Sequence, residues 1–106
     1  MDEHEFGSLA EHALERIEAA LEESGVEADV ERKEGGVLEI EYADGSRMVI
    51  NRHAAAREIW VAAPSGGFHF RWDGAAWRDT RAGTELFAAL SRLVSAQSGQ
   101  TVRLEP

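Results

Sequence analysis

Short runs rich in Val, Ile, Phe, Tyr and Trp follow one another from Val37 to Trp72, punctuated by the turn signals Asp44-Gly45 and Pro64-Ser65-Gly66-Gly67. A chain patterned this way folds as an antiparallel meander, because residues two apart share a strand face and tight turns bring each strand back beside the last. The first hairpin even sets its register. Leu38, Ile40 and Tyr42 alternate with Glu39 and Glu41, while Met48 and Ile50 alternate with Arg47, Val49 and Asn51. A two-residue turn at Asp44-Gly45 would set Ile50 opposite Glu39 and mix the faces. The pattern therefore predicts a three-residue loop, Ala43 to Gly45 with Gly45 left-handed, which pairs Ile40 with Met48 and Glu41 with Arg47.

Helical periodicity flanks the meander. Over residues 2–23, Phe6, Leu9, Ala13, Leu14, Ile17, Ala20 and Leu21 recur at the spacing of one buried helix face. Asp2 is placed to cap this helix, with Glu5 three residues on as in a capping box, and Ser24-Gly25 ends it. Glu11, Glu15, Glu18 and Glu22 fall on the opposite face, where acids four residues apart repel. Glu22 and Glu23 in the last turn also oppose the helix dipole. Residues 26–34 read as an edge strand with Glu27, Asp29 and Glu31 on one face. Helix end and strand together predict one continuous acidic ridge. After a turn at Asp73-Gly74 a short strand runs from Trp77 to Thr80. Thr84 is then expected to cap a second helix carrying Leu86, Phe87, Leu90, Leu93 and Val94, stopped by Gly99. Thr101 to Leu104 is expected as a short extended tail placed to lie against the helices. Helix, strands, helix in this order predicts an α+β two-layer sandwich, a single domain over 1–106 with both helices on one face of an antiparallel sheet.

Charge and composition exclude several function classes. Residues 1–34 hold twelve acids against three bases (Arg16, Arg32, Lys33), and the remainder holds eight of each, so the first third of the chain carries the whole net charge of −9. Such a surface repels nucleic acid and favours cations or basic protein patches. There is no cysteine, which removes disulfides, thiolate metal sites and thiol catalysis. No run approaches membrane-spanning length, and the acidic start lacks the apolar stretch of a signal peptide, so a cytoplasmic protein without a membrane role is expected. His4, His12, His53 and His69 are scattered over different elements, and no nucleotide-binding or hydrolase motif is present. A carboxylate-rich surface without clustered His or Cys suits hard, oxygen-preferring cations held loosely.

Asn51-Arg52, then Ile59-Trp60-Val61-Ala62, Gly66-Gly67 and the late Trp77 stand in an order and spacing that resemble the frataxins, closest to the bacterial branch of that family. The resemblance extends from Glu5-Phe6 through Gly36-Val37-Leu38 to the final helix. The chain departs at His53 and Glu58, where Gln is usual, and at Ala55, where Pro is usual. The resemblance implies the same two-layer fold. It further implies an iron-binding protein of iron–sulfur cluster assembly, monomeric, without organic cofactor and not an enzyme. Acids matching Glu18, Glu22, Glu23, Glu27, Asp29 and Glu31 bind ferrous and ferric iron weakly in that family and dock on the basic surface of the cysteine desulfurase that serves the cluster scaffold protein. Ala19 stands where many bacterial relatives keep a further acid. The family's counterparts of Asn51 and Trp60 stand exposed on the outer sheet face as partner contacts. The alternative class is a ferroxidase or iron-storage protein. Oxidation at carboxylates calls for a defined metal pair, as in helix-bundle sites built from inward-facing carboxylates and His, whereas these acids are expected to face solvent. The non-catalytic reading is therefore preferred.

Overall fold

Leu38, Ile40, Tyr42, Met48, Ile50, Ile59, Val61, Phe70 and Trp77, all from the inward positions of the alternating runs, are buried together with the apolar stripes of two helices in one cluster of 24 residues. The structure, a computed structural model, describes residues 1–106. Its elements are α1 (Glu3–Ser24), β1 (Ala28–Lys33), β2 (Val37–Tyr42), β3 (Arg47–His53), β4 (Glu58–Ala63), β5 (Gly66–Trp72), β6 (Trp77–Asp79) and α2 (Leu86–Ser98). The six strands form one antiparallel sheet in the order of the chain, with β1 and β6 at its edges. Both helices pack on the inner face, so the fold is the two-layer α+β sandwich that the sequence pattern predicts. Each fully buried Leu, Ile or Phe in that layer contributes roughly 1.5–3 kcal/mol relative to exposure.

The hairpin register follows from its loop. Ile40 pairs with Met48 and Glu41 with Arg47 across Ala43–Gly45, with Gly45 at φ 85°, as the three-residue loop requires. In α1 the Asp2 carboxylate accepts from the Glu5 backbone N–H at 2.8 Å, and Gly25 terminates the helix in the left-handed conformation. Ala10 is fully buried in the stripe, whereas Leu9 is only half-buried at its edge. The cap of α2 is a correction to the sequence expectation. Glu85, not Thr84, is the N-cap, its carboxylate accepting from the Phe87 and Ala88 N–H groups at 2.8 and 3.1 Å. A charged acceptor at that position satisfies two orphan amides and complements the helix dipole.

The tail docks through two serines on α2. The Ser95 hydroxyl receives the Val102 N–H at 2.9 Å, and the Ser91 hydroxyl receives the Leu104 N–H at 2.8 Å. Spaced by four, these hydroxyls stand in for a strand edge, and Val102 and Leu104 bury their side chains beneath. Gly36 is required for two reasons. Its φ is 76°, and the stem of Arg52 lies where a Cβ would sit. Arg52 also donates its backbone N–H to the Gly36 carbonyl at 2.9 Å.

Candidate functional site

The acids of the predicted ridge reach the surface from two elements that meet at one edge of the sandwich. The last two turns of α1 lie beside edge strand β1, and a groove of about 420 Å³ between them is bordered by Glu18, Glu22 and Asp29 over a floor of Leu21, Val26 and Val30. Three of the six ridge acids therefore share one concave surface. The others diverge. Glu23 borders a separate crevice with Arg16, Arg103 and Glu105. Glu27 is exposed, its backbone N–H held by Gln100 Oε1 at 2.9 Å. Glu31 lies on the outer sheet face, opposite Glu39, as Asp29 lies opposite Glu41. No basic residue sits in the last turn of α1 to offset Glu22 and Glu23.

Countercharges attach this edge to the sheet. Arg32, on the inner side of β1, pairs with Glu11 and, at 3.8 Å, with Glu18. The glutamate face of α1 is thus not wholly turned to solvent, as periodicity alone suggested, and Glu11 and Glu18 are half-buried. Lys33 and Arg47 bracket Glu39 at 2.9 and 3.1 Å, and Arg47 reaches Glu41 at 3.7 Å. The hydrogen bond from Lys33 outweighs desolvation and holds Glu39 below the usual carboxylate range. Nowhere do three or more His, Asp or Glu side chains converge closely enough to enclose an ion. The ridge offers separate carboxylates rather than a cage. A more apolar groove of about 550 Å³, bordered by Trp72, Trp77 and Phe87, lies between α1, the β5–β6 turn and the start of α2, and none of the six predicted ridge acids borders it.

On the outer sheet face, Asn51 pairs across the strands with Trp60, and Trp60 with His69. Trp60 is on the face expected for it but is more enclosed than expected. It is half-buried, with its indole stacked between the imidazoles of His53 (centroids 3.8 Å apart, 14° between planes) and His69 (4.4 Å, 10°). Asn51 is also half-buried, its amide donating to the Arg52 carbonyl at 3.2 Å. Beside Trp60, two residues back along β4, lies Glu58, the one buried charged side chain of the protein, 6% exposed. Burial pushes its carboxyl up, but hydrogen bonds from Trp60 and Arg71 and the charge of Arg71 overcome this and hold it below its ordinary value. The sequence marks His53 and Glu58 as departures near Trp60, but does not bring His69 and Arg71 to the same place. The available signal was positional: Glu58 and Trp60 are two apart and so share a face.

A family model described as the frataxin-like domain matches residues 1–100. The chain belongs to the frataxin family. The iron-sulfur cluster assembly protein CyaY of Dechloromonas aromatica is 59% identical over 104 residues, covering 98% of this chain and 99% of that one. The protein of the same name from Cupriavidus metallidurans is 49% identical, with 99% and 97% covered. The solved structure of frataxin from Psychromonas ingrahamii superposes with a TM-score of 0.91 at 31% identity, over the full length of both chains. Trimeric yeast frataxin complexed with ferrous iron has a TM-score of 0.67 at 27% identity, covering 94% of this chain and 88% of that one. In this frataxin, therefore, the acidic edge and the Trp60 face are two features of one sheet: the first occupies β1 and the end of α1, the second the middle strands β3 to β5.

Proposed function

We propose that this frataxin acts in iron–sulfur cluster assembly as a non-catalytic, iron-binding partner of the cysteine desulfurase and its scaffold protein, in the cytoplasm. The observation that carries the reading is the groove at which Glu18, Glu22 and Asp29 gather from α1 and β1. It gathers three of the six ridge acids, from two elements, on one edge suited to docking. The names of the 59% and 49% identical relatives support the process, and the ferrous complex of yeast frataxin supports the metal. Separate carboxylates match hard cations in chemistry, and the lack of convergence favours weak binding, with water completing each ion's shell. Iron here is cargo and effector, held at Glu18, Glu22, Glu23, Glu27, Asp29 and Glu31. Asn51 and Trp60 supply the contact to the assembly machinery on the adjoining face.

Two measurements test this. Purified desulfurase and scaffold should co-purify with the chain, and the interaction should respond to iron. Titration with ferrous iron should perturb the amides of residues 18, 22 and 29 first, then those of 23, 27 and 31. Earliest changes at His4, His12, His53 or His69 would overturn the carboxylate assignment.

A further inference from the structure

Glu58 holds an unusual place for a carboxylate. It sits on the solvent-side face of the sheet yet is buried, two residues from Trp60 along β4 and between Arg71 on β5 and His53 on β3, its cross-strand neighbours. Burying a charge without partners is costly, so the arrangement persists only because both oxygens are engaged. Oε1 accepts from the Trp60 indole N–H at 2.9 Å, and Oε2 accepts from the Arg71 guanidinium at 2.7 Å. His69 Nδ1 stands 3.7 Å from Oε1. The far side of the stack is pinned independently, because His53 Nδ1 accepts the Ala56 N–H at 3.2 Å, which fixes that ring's plane against the indole. The Trp60 ring is thus tied at its nitrogen and closed on both faces.

We propose that Glu58 is a positioning residue that locks the Trp60 indole between His53 and His69, so that a partner on this sheet face meets a closed three-ring stack edge-on rather than an open indole. The inference rests on the docking reading above and deepens it. An indole free to turn would have to be ordered on binding. One already held by a carboxylate and two imidazoles leaves little ordering to be done, which is how aromatic hot spots gain affinity. The composite edge also makes His53 and His69 contact residues in their own right.

The test compares Glu58→Leu, which removes the acceptor but fills the space, with Glu58→Gln, which keeps an acceptor for the indole N–H. Two readouts are needed: hydrogen exchange of the Trp60 indole N–H by NMR, and affinity for the purified desulfurase–scaffold complex. With Glu58→Leu the indole N–H should lose protection, and affinity should fall about tenfold, the scale of ordering one more large side chain at an interface. Glu58→Gln should keep both within about twofold. The double variant Glu58→Leu/Trp60→Ala should bind no more weakly than Trp60→Ala alone. Full affinity and an unchanged indole N–H in Glu58→Leu, with only the melting temperature lowered, would overturn the proposal. If Trp60→Ala itself binds like wild type, the docking reading for this face falls and the partner half of the proposal falls with it. Loss of binding in Trp60→Ala with none in Glu58→Leu removes the positioning role alone.

Discussion

Reversing charge on the edge strand should raise stability and abolish docking at the same time. On β1, Asp29 stands opposite Glu41 and Glu31 opposite Glu39, two like-charge pairs directly across from one another. The variant Asp29→Lys/Glu31→Lys turns both into opposite-charge pairs. Cross-strand pairs are worth about 0.2–1 kcal/mol each. Solvent exposure and the existing claims of Lys33 and Arg47 on Glu39 and Glu41 place the total near the low end, about 0.5–1 kcal/mol. For a domain of this size that is a rise in melting temperature of about 2–8 °C. The control is Glu3→Lys/Glu5→Lys, which changes net charge equally in the first turn of α1, far along the helix from the ridge. Those acids favour the helix N-terminus, so the control should lose about 0.5–1 kcal/mol. Asp44, Asp73 and Asp79 are unsuitable controls, since each accepts backbone N–H groups that shape a turn. Surface plasmon resonance against immobilised desulfurase, with calorimetric melting in parallel, should find the more stable variant unable to bind and the less stable one binding near normally. The wild-type interaction should weaken steeply with salt. Equal loss of binding in both variants would reduce the ridge to a solvated face, and a less stable ridge variant would refute the cross-strand account.

Other outcomes follow from single residues. Gly36→Ala should cost about 2–4 kcal/mol in chemical denaturation, because a positive φ and displacement of the Arg52 stem add together, whereas Gly35→Ala, open around its Cβ, should cost only about 1–2. Equal costs would show that the Arg52 packing is unimportant. Burial pushes the Tyr42 phenol up to about 12 from 10.0. Since the folded value is the higher, the associated stability is fully present below pH 10 and is lost as pH rises through about 12. Tyr42 is the single tyrosine, so ultraviolet titration of phenolate should report it directly, with the midpoint falling toward 10 on denaturation and Tyr42→Phe flattening the alkaline loss of stability. A midpoint near 10 in the folded protein would contradict the burial of that ring.

The local grammar of this chain was legible because its causes are local. Alternation fixed which residues of β2 and β3 face the helices, since a period of two leaves no choice once one face is apolar, whereas the run Ile59-Trp60-Val61 is apolar on both faces of β4. Gly45 set the first hairpin register, and Asp2, Gly25 and Gly99 marked the helix ends through short-range hydrogen bonds and a left-handed residue. The cap of α2 fell one residue from its expected place because Thr84 and Glu85 are both competent acceptors and only the chain's path into the helix chooses between them. What the sequence alone determined, then, was the faces of the first hairpin, the helix stripes and the concentration of net charge in the first third. Tertiary structure decided which of those charges meet. Helical periodicity placed the α1 glutamates on one face, but the setting of α1 against β1 brought Glu18 to the groove and to Arg32, and sent Glu23 to another crevice. The family resemblance implied an outer-face position for Trp60, but only the lateral register of β3, β4 and β5 put Glu58, His53, His69 and Arg71 around it. Neighbours across strands are far apart along the chain, so no local pattern encodes a buried carboxylate joined to Trp60 and Arg71. That burial is a property of the assembled sheet.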